Sequence, residues 1–304
     1  MRIAAIDLGT NTFHLIIVEI KDSAFQVLYK TNQAVKLGEG RINENIIIPP
    51  AFERAIICLK AYNETIKSYN VDIVKATATS AVRSANNGQE FIAAAKANAN
   101  ISIEAITGDE EATLIYGGVK LSGAINGKCL IMDIGGGSVE FILCDERQIF
   151  WKKSYNIGAA RLMQQFFKSD PIADSDKTHI VTHIQHELQD LFSACAAFNP
   201  ETLIGSAGAF ETFAELIEAK YNRVIDIANI KNYTFKHEDY IGISTDIIKS
   251  THQQRSEMKG MIPLRVDMIM MATLITNCIL DRLQIADLKL STYDLKMGII
   301  ASYV

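Results

Sequence analysis

Two stretches of this 304-residue chain join an acid to a glycine turn. The first reads Ile3-Ala4-Ala5-Ile6-Asp7-Leu8-Gly9-Thr10-Asn11-Thr12 and continues apolar from Phe13 to Ile20. The second reads Leu130-Ile131-Met132-Asp133-Ile134-Gly135-Gly136-Gly137-Ser138 and continues from Val139 to Leu143. Each has the pattern of a strand, an Asp, a glycine turn with a small hydroxyl residue, then a second strand. Glycine lets backbone N–H groups approach an anion with no side chain in the way. Asp7, Gly9, Thr10 and Asn11 on one turn, and Gly135, Gly136, Gly137 and Ser138 on the other, are therefore candidates to cradle phosphate. Neither turn is followed by the lysine of a P-loop. Paired structural hairpins are the competing reading, but the matched Asp and hydroxyl favour a duplicated phosphate site between two lobes.

Three carboxylates accompany the turns. Asp133 and Asp7 occupy equivalent points, and Glu140 follows Ser138 by two, so on an extended strand Ser138 and Glu140 share a face. Acids beside a phosphate cradle repel the ligand unless a cation intervenes. Magnesium takes one or two carboxylates, several waters and phosphate oxygens. The other reading is that each Asp accepts hydrogen bonds from turn N–H groups; both stay open here.

Glu110 and Glu111 open a helix. Thr107 and Glu110 have capping-box spacing, which explains Glu110 and leaves Glu111 spare. A carboxylate beside positive helix termini stays ionised and can accept a proton from water. Arg83, in a polar loop after a buried strand, has a side chain that pairs with phosphate in a bidentate way. An ordinary loop arginine is the competing reading.

The remaining elements must place these groups. Strands are expected at Ala24–Tyr29, at 71–78, at Ile101–Ile106 and at Thr202–Ile204. Helices are expected at 51–69, 88–97, 107–119, 160–167, 178–192, 210–219, 245–251 and 266–280. Strand pairs followed by helices, twice over, predict an α/β architecture. The boundary is set by Ser122-Gly123 and Asn126-Gly127, giving lobes of residues 1–122 and 123–304, with the last helix free to pack back on the first lobe. His179, His183 and His186 have i, i+4, i+7 spacing but flank an apolar stripe, which reads as a solvated face rather than a metal site. His14 reads as structural, and Trp151 as following a strand.

Hydrophobic residues make up 48% and charged ones 21%, enough apolar content for a large core. A net charge of −5 gives no basic footprint for nucleic acid. Cys58, Cys129, Cys144, Cys195 and Cys278 are scattered and form no CxxC. No basic-then-apolar leader opens the chain and no apolar run reaches bilayer length, so a cytoplasmic setting and no membrane partner are expected.

Taken in order, the motifs resemble the exopolyphosphatase and guanosine pentaphosphate phosphohydrolase family. The matching runs are Ala5 to His14, Ala76 to Arg83, Gly108 to Ala112, Asp133 to Glu140, Gly205-Ser206-Ala207-Gly208, Arg265 to Ile269 and Ser291 to Leu295. The resemblance implies two actin-like, ribonuclease-H-type lobes with the active site in the cleft between them. It implies Glu111 as general base for the attacking water and Arg83 as a phosphate-gripping arginine. It also implies Asp133 and Glu140 as acids associated with Mg2+; Gly205 and Ser206, in one of the matching runs, are further phosphate-binding candidates. The expected activity is release of terminal orthophosphate from polyphosphate, preferred because no purine pocket is legible. A pppGpp 5′-phosphohydrolase is the alternative; an actin-like ATPase or kinase and a non-catalytic guanosine-polyphosphate sensor are the rivals from other classes. A second copy of the chain is a candidate partner. Longer relatives carry extra C-terminal domains, and this chain ends at Val304, which leaves processivity and nucleotide preference open.

Overall fold

The computed structural model describes residues 1–22, 24–206 and 208–304, so Ala207 of the third glycine segment lies outside the described residues. The first sheet holds β1 (Arg2–Leu8), β2 (Thr12–Lys21), β3 (Ala24–Ala34), β4 (Ile73–Ala78) and β5 (Ile103–Ala105), in the order β3-β2-β1-β4-β5. β1 pairs antiparallel with β2 and parallel with β4. Its helices are α1 (Pro49–Ser68), α2 (Ser80–Ser84), α3 (Gly88–Ala99) and α4 (Gly108–Ser122).

The second sheet repeats the order. Its strands are β6 (Cys129–Ile134), β7 (Val139–Cys144), β8 (Ile149–Tyr155), β9 (Thr202–Ser206), β10 (Asn232–Phe235) and β11 (Asp287–Ser291). They run β8-β7-β6-β9-β11 with β10 added at the edge. Its helices are α5 (Ala159–Phe166), α6 (Asp174–Glu187), α7 (Gln189–Phe198), α8 (Gly208–Lys220), α9 (His237–Lys249), α10 (His252–Glu257), α11 (Ile269–Leu283) and α12 (Leu295–Ala301). Three antiparallel strands followed by parallel additions, made twice, is the ribonuclease-H-type arrangement of an actin-like pair of lobes.

Strand periodicity sorts the core into layers. Along β1, Ala4, Ile6 and Leu8 face α1 and α3. Ile3 and Ala5 face the other way, into a middle layer shared with Ile131, Ile142 and Ile204 of the second sheet. α4 and α12 fill that middle layer through Ile115, Val119, Leu295 and Ile299. The two helices touch backbone to backbone. A Cβ on Gly298 would lie 1.8 Å from the Leu114 carbonyl oxygen, and one on Gly118 would lie 2.1 Å from that of Asp294. The last helix thus packs against α4 and β1.

Several element expectations change. Arg83 is in the short helix α2, not a loop. The helix expected over 178–192 is two, because the chain turns at Leu188, whose side chain stays fully buried. α9 starts at His237, eight residues early; Glu238 and Asp239 in its first turn complement the helix dipole. Pro49 and Pro50 form the first turn of α1, where a missing N–H costs nothing. Trp151 lies within β8 rather than after a strand. His183 packs on Phe166 with ring centroids 5.1 Å apart, as a helix-flanking residue. All five cysteines are free and buried. Among the described residues no helix is long and apolar enough to cross a membrane.

Candidate active site

Both glycine turns close with the same hydrogen bond: Gly9 N–H donates to Thr12 O at 3.2 Å, and Gly135 N–H to Ser138 O at 3.0 Å. They abut across the cleft. A Cβ on Gly136 would come 2.6 Å from Asn11 Nδ2, and one on Gly137 would come 2.7 Å from Thr10 Oγ1 and 2.5 Å from Ser80 Oγ. Only glycine permits this approach.

The second turn rests on the start of α5. Ala159 N–H donates to Gly135 O at 2.9 Å and Ala160 N–H to Gly136 O at 2.8 Å. Arg161 Nε donates to Gly137 O at 2.9 Å. A Cβ on the N-cap residue Gly158 would lie 2.5 Å from the Gly136 carbonyl, so this contact also requires glycine. With three successive carbonyls tied to α5, the Gly136, Gly137 and Ser138 N–H groups have no protein acceptor among the described residues. Such a run of unpaired N–H groups is suited to an anion.

The turns line a cleft of about 650 Å³. Of the residues singled out from sequence, Asp7, Gly9, Thr10, Asn11, Glu111, Asp133, Gly135, Gly136, Gly137 and Ser138 all reach it. Glu111 is there because α4 starts at the cleft. The Thr107–Glu110 capping box is formed in full and leaves the Glu111 carboxylate without a capping role. Arg83 Nη1 instead donates to Glu111 Oε2 at 2.8 Å and to Ile106 O at 3.0 Å.

The other candidates lie behind the cleft wall. Glu140 faces Asp133 across the β6–β7 ladder, is 1% exposed, and accepts from Ser154 Oγ at 2.6 Å. Gly205 and Ser206, candidates for phosphate contact, do not line the cleft. Parallel pairing of β9 with β6 sets them level with Met132 and Asp133, inside the sheet. Ser206 is fully buried, and a Cβ on Gly205 would fall 2.1 Å from the Phe210 ring. Gly205 is a packing glycine, which a sequence pattern cannot distinguish from an anion-binding one.

Acids dominate the electrostatics. Burial, then the nearby Asp294, pushes the Asp7 carboxyl up to about 7. Asp133 is raised well above the carboxylate range by burial, then by Glu140 and Asp294. Glu111 is raised by burial and Glu140, against the pull of Arg83. Asp7 Oδ1 is buried with no hydrogen-bond partner among the described residues. Crowded carboxylates with an orphaned oxygen are an all-oxygen donor set, which suits a hard divalent cation. Among the described residues no group of three or more His, Cys, Asp or Glu makes a ready cage. Magnesium needs only one or two carboxylates, keeping waters elsewhere, so Asp7 and Asp133 fit it.

Four cleft residues had no role from sequence. Lys296 is 4% exposed and pairs with Asp294, the residue that caps α12. Burial, then the Lys296 charge, holds the His14 imidazole down to about 3, hence neutral. The Arg265 guanidinium lies across Gly208, where a Cβ would come 1.6 Å from Nη2. His14, Arg265 and Asp294 belong to the motif runs above, which was the available signal; Lys296 became a site residue only through folding. The far half of the cleft is different in character, lined by Ile225, Ile227, Ala228 and Ile262 with Glu211 and Glu215.

Comparison with known proteins agrees with this fold. A crystal structure described as an exopolyphosphatase from Cytophaga hutchinsonii superimposes with a TM-score of 0.97 at 36% identity, covering 100% of this chain and 97% of that one. A Haemophilus influenzae protein provisionally named an exopolyphosphatase is 28% identical over 99% of this chain and 91% of its own length. A guanosine-5′-triphosphate,3′-diphosphate pyrophosphatase of Aeromonas hydrophila is 29% identical over 71% of this chain. That match spans only 44% of the Aeromonas protein. The family model described as Ppx/GppA phosphatase matches residues 16–304. The chain belongs to the Ppx/GppA phosphatase family.

Proposed function

We propose that this phosphatase releases terminal orthophosphate from inorganic polyphosphate, with water activated by Glu111. The observation that carries the reading is the meeting of Glu111 with two facing turns, the second of which has N–H groups with no protein acceptor among the described residues.

The turn N–H groups of Gly136, Gly137 and Ser138 hold the terminal phosphoryl oxygens, with Thr10 and Asn11 opposite. Glu111 orients a water in line and takes its proton. The water oxygen bonds to the terminal phosphorus, the bridging P–O bond breaks, and the shortened chain leaves with the bond pair. Arg83 holds Glu111 in place and adds positive charge beside the forming oxyanions. Asp7 and Asp133 would hold magnesium, with Glu140 behind Asp133; the cation supplies neutralisation of phosphate charge.

A second reading, hydrolysis of the 5′-terminal phosphate of pppGpp, is favoured by the far half of the cleft. Its isoleucines suit a heterocycle, whereas Glu211 and Glu215 repel a further run of phosphates. Phosphate release from tripolyphosphate, long polyphosphate and pppGpp, each with and without magnesium, separates the two. Faster turnover of either polyphosphate than of pppGpp is expected. Turnover of pppGpp alone would transfer the assignment to the second reading, and release from none would defeat both.

A further inference from the structure

Arg161, in the first turn of α5, is 7% exposed, and its guanidinium binds three separate segments. Nε donates to Gly137 O at 2.9 Å. Nη1 donates to Ile42 O at 2.8 Å. Nη2 donates to Ser84 Oγ at 3.0 Å and to Asn45 Oδ1 at 3.4 Å. Gly137 belongs to the second sheet's phosphate turn; Ile42, Asn45 and Ser84 belong to the first half of the chain. The same seam carries Asn43 Nδ2 donating to Arg161 O at 3.1 Å and Gln164 Nε2 donating to Gly38 O at 3.1 Å.

All four acceptors are neutral, which is unusual for a buried cation, since buried charges are normally paired. Burial and the like charge of Arg83 both weigh against the Arg161 guanidinium. Arg161 has no acid partner among the described residues, whereas Arg83 is paired with Glu111.

We propose that Arg161 is a positioning residue for phosphate capture, locking the Gly135–Ser138 turn in register with the Ile42–Asn45 segment and α2. It acts through a shared peptide: the carbonyl it grips, on Gly137, is the other end of the amide whose N–H is that of Ser138. Donation to that carbonyl polarises the amide and strengthens its N–H toward phosphate. Through Ser84 the same guanidinium also fixes the helix that carries Arg83.

The inference rests on the phosphatase reading above, and the test keeps the two apart. Arg161→Gln and Arg161→Lys are compared with the unaltered protein for phosphate release from tripolyphosphate with magnesium, alongside thermal unfolding. Neither an amide nor an ammonium can span all four acceptors, so kcat/KM should fall roughly tenfold or more in both, with KM taking the larger share. A purely structural arginine would lower Tm and leave KM of the folded enzyme unchanged. Folded variants with KM within twofold of the unaltered protein would overturn the proposal, and if Arg161→Gln does not fold, Arg161→Lys decides by the same criterion. An unaltered protein with no release from tripolyphosphate, long polyphosphate or pppGpp would instead remove the reading on which the proposal stands.

Discussion

Arg83 and Glu111 form an ion pair, Nη1 to Oε2 at 2.8 Å, with the Glu111 side chain almost wholly out of solvent. The candidate base and the candidate phosphate-gripping cation therefore share one geometry. The arginine orients the carboxylate and lowers its proton affinity, while burial and Glu140 raise it.

Replacing Glu111 by Gln keeps the shape and removes the proposed base. Turnover should fall by roughly two to four orders of magnitude while affinity for tripolyphosphate is retained. Single-turnover phosphate release and a separate binding titration check this. Near-normal turnover would assign the base elsewhere.

The pair also sets a pH dependence. As the proposed base, Glu111 accepts a proton only when ionised, so kcat/KM should rise with pH as its proton leaves. Arg83 is among the influences that lower the Glu111 pKa. Arg83→Ala should move the acid limb to higher pH and reduce the plateau. A pH–rate profile of the variant showing no shift would separate Arg83 from the base.

Asp7 gives the fold a pH dependence of its own. Its folded-state pKa of about 7 lies above the ordinary carboxylate value, so the folded protein holds a proton there that the unfolded chain releases. Its favourable contribution is full below about pH 4, the unfolded carboxyl value, and is lost as pH rises through the folded one. Asp7→Asn should therefore raise stability at about pH 8 in chelator, on the order of 1–3 kcal/mol, and by much less at about pH 4. Magnesium should stabilise the unaltered protein more than the variant. Urea melts at the two pH values, with and without magnesium, measure both effects.

The α4–α12 crossing predicts a structural effect that reaches the site. Gly298→Ala would drive a methyl into the Leu114 carbonyl. A loss of about 3 kcal/mol or more is expected. Because α4 presents Glu111 at its start, turnover should fall even in the folded fraction. A thermal melt together with a specific-activity measurement reads both.

The legible parts of this chain were local ones. The duplicated Asp–glycine hairpins declare themselves through a strand pattern broken by residues that tolerate close approach, and the Thr107–Glu110 capping box through spacing alone. What stayed hidden depends on chain folding back. The Arg83–Glu111 bond joins α2 to α4, and Lys296 reaches the cleft only because α12 returns to pack on the first sheet. Gly205 shows the converse ambiguity. A glycine that makes room for the Phe210 ring looks, in sequence, like one that makes room for phosphate. The far wall of Ile225 and Ile227 was unreadable because its apolar residues come from a connecting segment with no periodicity.

The most direct test is a crystal structure of the Glu111→Gln variant with tripolyphosphate and magnesium. The expected result is a terminal phosphate seated between the Gly136–Ser138 N–H groups and the Thr10–Asn11 turn, with the substituted amide side chain facing its phosphorus. A phosphate touching only one turn, or lodged outside the cleft, would contradict the account.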